Sequence, residues 1–243
     1  MPRPVLLNNV DHRGLRIATG HGETLGDAVM FAPIFPGEFR DVQAHYPIVF
    51  RKATDGRFQP VALFGLRDDQ NLFLAADGDG ERWDAHYVPL AVQRQPFMIG
   101  RDAEGEPVIH VDLDNPRVRA SSTDGGQAVF LEHGGTSEYI ERIGSILHAL
   151  HTGLEAVPAF VDALLAHDLL ESFALDVALP SGTQHRLSGF YTVHEERLAS
   201  LPGEAVAALH RDGHLQSAYL AIASLSQFRT LIERLQGAGR DAR

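Results

Sequence analysis

The chain has 243 residues, a formal net charge of −11 with its 13 histidines neutral, 44% apolar residues and no cysteine. That length fits one large domain or two small ones, and the apolar share supports a buried core. The acid excess and the lack of a basic cluster argue against nonspecific nucleic-acid binding, and the missing cysteines exclude disulfides, thiolate nucleophiles and Cys-ligated zinc.

At the start of the chain, Val5-Leu6-Leu7 is too short for the apolar region of a signal peptide, so a cytoplasmic location is expected. A short helix is expected over 37–45. Residues 46–51 and 58–66 are rich in aromatic and β-branched residues and flank Asp55-Gly56, a strong hairpin signal. A short strand at 72–74 closes at Asp77-Gly78-Asp79-Gly80. A second hairpin joins 97–99 to 108–113 through Glu104-Gly105. Gly134-Gly135 then breaks the chain, and Thr136 or Ser137 caps a helix whose Tyr139, Ile140, Ile143, Ile146, Leu147 and Leu150 recur at helical spacing. Pro158 opens another helix with Val161, Leu164, Leu165 and Leu169 on one face. A third hairpin spans 173–179 and 187–193, turning at Pro180-Ser181-Gly182. Helices return at 204–211, stopped by Gly213, and over 215–235, divided at Ser224 or Ser226. Residues 237–243 read as a frayed tail.

Grouped strands and helices predict an α+β fold: antiparallel hairpins in the N-terminal half, helices plus one hairpin in the C-terminal half. The expectation is a single domain over 1–243, with a possible subdivision into a β-rich 1–130 and a helix-rich 131–236. If the third hairpin joins the first sheet, the two parts form one domain. The longest stretch free of Asp, Glu, Lys and Arg, 213–228, is too short and too polar to cross a bilayer, so no membrane insertion is expected.

One ordered series of residues is specific. Tyr46-Pro47-Ile48-Val49-Phe50 is followed by Leu63-Phe64-Gly65-Leu66, Asn71-Leu72-Phe73, Trp83 and Tyr87-Val88-Pro89. Arg94-Gln95-Pro96-Phe97, Gly213-His214-Leu215 and Ser224-Leu225 complete it. In this order the chain resembles the SapC family of bacterial proteins, named from a surface-layer locus and distinct from the membrane permease of the same name. Gln93 and Gln95 stand where the family usually has a second basic residue and an aromatic. The resemblance implies a functional link to outer-membrane receptors or to oxygenase and halogenase systems, and it implies no defined activity.

Among candidate sites, His110-x-Asp112 with a distant His185 has the residue types of a facial triad, which binds Fe(II) and leaves room for 2-oxoglutarate and oxygen. Helices over 136–170 interrupt the strands that such a barrel needs, and a strand with His110 and Asp112 on one polar face explains the pair equally. His148/His151 and His210/His214 have chelating spacing only if helical, and Gly213 ends the second helix too early. Asp77, Asp79 and Glu81 begin like a calcium loop, but Val88 falls where the bidentate Glu belongs. There is no Gly-x-Ser-x-Gly and no His-Glu-x-x-His. Tyr46, Trp83, His86, Tyr87, Arg94 and Phe97 supply the aromatic and Arg types that anchor ligands and interfaces, or else pack a core.

The leading expectation is therefore a non-catalytic, cofactor-free binding or accessory protein for a protein, peptide or small molecule. The alternatives are an iron-dependent oxygenase using His110, Asp112 and His185, and a surface-layer or envelope component.

Overall fold

The computed structural model describes residues 3–78, 80–102, 104–119, 125–178 and 184–241, without the side chains of His185 and of 238–241. In chain order the first strands are β1 (Pro4–Leu6), β2 (Arg16–Ile17), β3 (Phe31–Pro33), β4 (Ile48–Lys52), β5 (Phe58–Leu63), β6 (Leu74–Asp77) and β7 (Gly80–Trp83). Then come β8 (Phe97–Arg101), β9 (Pro107–Asp112), β10 (Val118–Arg119), β11 (Gln127–Ala128), β12 (Leu170–Ala178) and β13 (Gln184–Val193). The α-helices are α1 (Phe39–Val42), α2 (Leu90–Gln93), α3 (Glu138–Glu155), α4 (Val157–Ala166), α5 (Glu195–Ala199), α6 (Gly203–Arg211), α7 (His214–Ser224) and α8 (Gln227–Asp241). Every strand pairing among the described residues is antiparallel, so the fold is α+β.

Two compact units draw on interleaved stretches of the chain. The first comprises Met1–Ala28, Leu74–Asp84 and Leu90–Thr152; the second comprises Val29–Phe73, Ala85–Pro89 and Gly153–Arg243.

In the first unit, β8 and β9 form the hairpin expected at Glu104-Gly105, and Gly105 takes the left-handed φ of 88° that its turn requires. β1 extends this sheet in the order β1-β9-β8, and β10-β2-β11 form a second small sheet. β6 and β7 make a two-stranded hairpin. Ser137 caps α3: its Oγ accepts the N–H of Ile140 at 3.3 Å and donates to the Ala128 carbonyl at 2.7 Å. All six apolar residues that define the face of α3 are buried. Tyr139 meets Phe97 edge-on, with ring centroids 6.1 Å apart.

In the second unit the hairpin β4–β5 is the centre of a five-stranded sheet ordered β12-β13-β4-β5-β3. The third hairpin thus joins the strands of the first half through β13 and β4, where Tyr191 lies opposite Phe50 and Phe190 opposite Arg51. Strand alternation gives this sheet two unlike faces. On one, Phe50 meets Phe160 of α4, and Ser224 at the end of α7 accepts the Ile48 N–H at 2.8 Å. That buried serine marks the division between α7 and α8. On the other face, Arg51, Phe31 and Phe190 lie together.

Several local readings of the sequence differ from the structure: the strand expected at 72–74 begins only at Leu74, and the helix expected over 37–45 is confined to 36–42. Leu165 is 44% exposed rather than part of the buried side of α4, where Phe160 takes its place. Helix α8 runs on to Asp241 instead of fraying at Gly237. The turn at Pro180-Ser181-Gly182 lies outside the described residues. Glu138–Ala166 has the length and composition of a membrane span. It is divided near Ala156, with Pro158 in the first turn of α4, and the apolar face of α3 is already buried.

Candidate functional site

The aromatic and arginine residues singled out from the sequence divide between the two units. In the first, Trp83 and Phe97 are buried, and Arg94 is half-buried with Nη1 donating to the Phe97 carbonyl at 2.6 Å. Burial pushes the Arg94 pKa down. In the second, Tyr46 is fully buried and its hydroxyl donates to the Tyr87 carbonyl. The Tyr87 hydroxyl donates to Oε1 of the buried Glu38 at 2.7 Å. Burial, followed by the charge and hydrogen bond of Glu38, drives the Tyr87 pKa upward. Of the six residues only His86 is exposed, with its ring 5.9 Å from His45. Burial and the neighbouring His86 push the His45 pKa down, against Asp41.

His110 and Asp112 lie two apart on β9 and so share a face. Oδ1 of Asp112 accepts the N–H groups of Arg3 at 2.7 Å and Asp114 at 3.2 Å. The His110 ring lies over Gly100, where a Cβ would fall 2.0 Å from its Nδ1, and that nitrogen is buried without a hydrogen-bond partner. The pair as placed lies on one strand face, with Asp112 engaged by backbone N–H groups and His110 packed over Gly100. The backbone of His185, on β13, pairs with Val177 of β12, and the His185 side chain lies outside the described residues. Among the described residues no group of three His, Asp or Glu gathers as metal ligands.

A polar network that sequence reasoning missed lies in the first unit. Asp27, 1% exposed, accepts from Nη2 of the buried Arg117 at 2.6 and 2.7 Å and from the Gly22 N–H at 3.0 Å. His21 Nδ1 stands 3.1 Å from Asp27 Oδ2, and the His21 ring meets Trp83 edge-on at 5.3 Å. Arg117 also donates to the carbonyls of Ala18 and Gly20. Burial raises the Asp27 pKa, but the hydrogen bond with His21, the Arg117 charge and the Gly22 N–H outweigh it and leave it below the usual carboxylate range. The network ties the loop 18–27 to the segment around 117 through both Arg117 Nη atoms, while Arg117 Nε is buried without a hydrogen-bond partner.

Free charged groups gather in the second unit. A cleft of about 460 Å³ on the Arg51 face of the sheet is bordered by Arg51, Lys52, Arg67, Asp68, Arg186 and the Ser188–Gly189 step, over Phe31 and Phe190. Its volume is that of a small-ligand site. β13 carries one extra residue here: Phe190 pairs with Phe173 and Leu187 with Leu175, so three intervals on β13 face two on β12. Gly189 adopts φ 84° in this bulge. A bulge re-aims a strand beside a site, and its left-handed residue favours glycine. An isolated glycine in the run Leu187-Ser188-Gly189-Phe190 was the one sequence signal for it.

The Arg51 guanidinium stacks on the Phe31 ring, 4.6 Å from its centroid, and the edge of Phe31 in turn meets Phe190 at 6.1 Å. Half-buried Arg51 and exposed Arg67 have no hydrogen bond or carboxylate partner among the described residues. Arg186 has only a 3.8 Å pair with Asp176, both about 70% exposed and therefore worth little. Asp68 is likewise unpaired. On the opposite face of the sheet, the exposed Lys52 lies 5.1 Å from the Phe58 ring centroid and 5.5 Å from that of Tyr191. It borders a second groove of about 570 Å³ between the β4–β5 turn and α4.

A family model described as SapC matches residues 7–231. No curated protein and no solved structure matches the chain.

Proposed function

The chain belongs to the SapC family, and we propose that it is a non-catalytic accessory protein that binds a small anionic ligand in the cleft of its second unit. The observation that carries this reading is Arg51. A guanidinium has five N–H donors. Stacking on Phe31 restrains its plane while leaving those donors without an acceptor among the described residues. None of its nitrogens is among the buried unpartnered atoms, so the fork stays open to the cleft and available to an incoming acceptor. Arg67 and Arg186 add charge around the same cleft, so the ligand that its electrostatics favour is an anion. Arginine suits this role because its planar fork matches carboxylate and phosphate oxygens.

The reading is of binding rather than chemistry because two of the buried ionisable clusters are held in structural hydrogen bonds. Asp27 is held by Arg117 and His21, and Tyr87 by Glu38. We also propose that it works in water rather than in a bilayer, a reading that the buried apolar face of α3 supports. The test is calorimetric titration of the full chain with inorganic phosphate and with citrate, for the wild type and Arg51→Gln. Saturable binding that weakens with salt and falls at least about tenfold in Arg51→Gln is expected, that being roughly 1.4 kcal/mol. Absence of anion binding, or equal binding by the variant at unchanged melting temperature, would overturn the reading.

A further inference from the structure

We infer that the anion taken by the Arg51 cleft is a phosphate monoester on a hydroxyl-bearing body, a sugar phosphate in class; the inference rests on the anion-binding reading above. Charge matching comes first. Three guanidinium groups border the cleft, Arg51, Arg67 and Arg186, against the single carboxylate of Asp68, while the Lys52 ammonium lies over Phe58 and Tyr191 on the other face. A monocarboxylate leaves most of that positive charge uncompensated, whereas a phosphate monoester carries nearly two charges near neutral pH and three acceptor oxygens. Guanidinium forks engage such oxygens in pairs.

Asp68 supplies the second half of the argument. It lies on the same cleft, yet it forms no ion pair with any of the arginines and has no hydrogen-bond partner among the described residues. A carboxylate in that position repels the phosphate end of a ligand and so selects what is attached to it. An ionised carboxylate is an acceptor only, and hydroxyl groups are the donors a sugar offers. Ser188 also lines the cleft, beside a glycine in the bulge that adds no side chain. The lining is therefore largely polar, with the apolar surface of Phe31 and Phe190 among it. This arrangement favours a polar phosphorylated body over an aliphatic one.

The experiment compares glucose 6-phosphate, inorganic phosphate, glucose and phosphoethanolamine on the full chain at fixed ionic strength, for wild type and Asp68→Asn. Glucose 6-phosphate is expected to bind at least tenfold tighter than inorganic phosphate, and glucose not measurably. Asp68→Asn is expected to weaken glucose 6-phosphate several-fold while leaving inorganic phosphate unchanged or slightly tighter. Equal affinity for the two phosphates would overturn the inference, as would an Asp68→Asn variant that binds both more tightly. Phosphoethanolamine binding tighter than glucose 6-phosphate would assign Asp68 to an ammonium and overturn it too. Citrate binding with no phosphate binding would sink this inference and leave the anion site standing; no binding of any anion would sink both.

Discussion

Asp27 and Arg117 are 90 residues apart in the chain, and in the first unit Oδ1 of the one lies 2.6 Å from Nη2 of the other, both buried. Such a pair gives little net stability over well-packed apolar residues, but removing one partner strands the other charge.

Asp27→Asn is therefore expected to cost about 3–5 kcal/mol at neutral pH. The cost is pH-dependent. The Asp27 pKa is lowered in the folded protein, while the unfolded carboxyl titrates near about 3.9. The folded state binds this proton less readily, so the ionised carboxylate stabilises the fold above the unfolded value. That contribution is lost as pH falls through the folded value. Urea midpoints of wild type and Asp27→Asn should lie far apart at neutral pH and converge in acid. A pH-independent gap would mean that the charge of Asp27 is not what matters.

Gly100 and His110 form a second coupled pair. Gly100→Ala places a Cβ 2.0 Å from the His110 ring, an overpacking expected to cost about 1–3 kcal/mol. Because the obstruction is a ring, His110→Ala in the same chain should relieve most of it. Denaturation of both single variants and the double variant would give a strongly non-additive cycle. Simple additivity would mean that the ring moves aside at little cost.

Trp83→Ala and Arg94→Ala should both lower the melting temperature, by unequal amounts. Trp83 is buried and meets His21 edge-on, and deleting a buried aromatic of its size typically costs about 3–5 kcal/mol. Arg94 loses a short charge-assisted bond to the Phe97 carbonyl, worth roughly 1.5–3 kcal/mol. An unchanged melting temperature in Arg94→Ala would point to a recognition role for that arginine instead.

Local signals in the sequence carried far. Asp55-Gly56 and Glu104-Gly105 mark the turns of two hairpins, because positive φ at Gly56 and Gly105 is a property of a few residues. The six apolar positions of α3 are visible because burial imposes a 3.6-residue period. Contacts between distant segments leave no such period. Nothing near His21 or Asp27 points to Arg117, and nothing near Arg51 points to Arg67 or Arg186. The aromatic types at Tyr46, Trp83 and Phe97 fit a binding surface and a core alike, and only three-dimensional burial separates the two. The interleaving of the two units is illegible for the same reason, since it depends on which distant strands pair.

Lys52 is the only lysine in the chain, and it is exposed where the cleft and the groove adjoin. Acylating reagents directed at side-chain amines therefore have one target, and a lysine-specific protease has one bond to cut. A fluorophore attached at Lys52 sits on the rim of both cavities without any engineered cysteine. Its emission, or the protection of Lys52 from the reagent, reports occupancy directly, in a protein that needs no other labelling site.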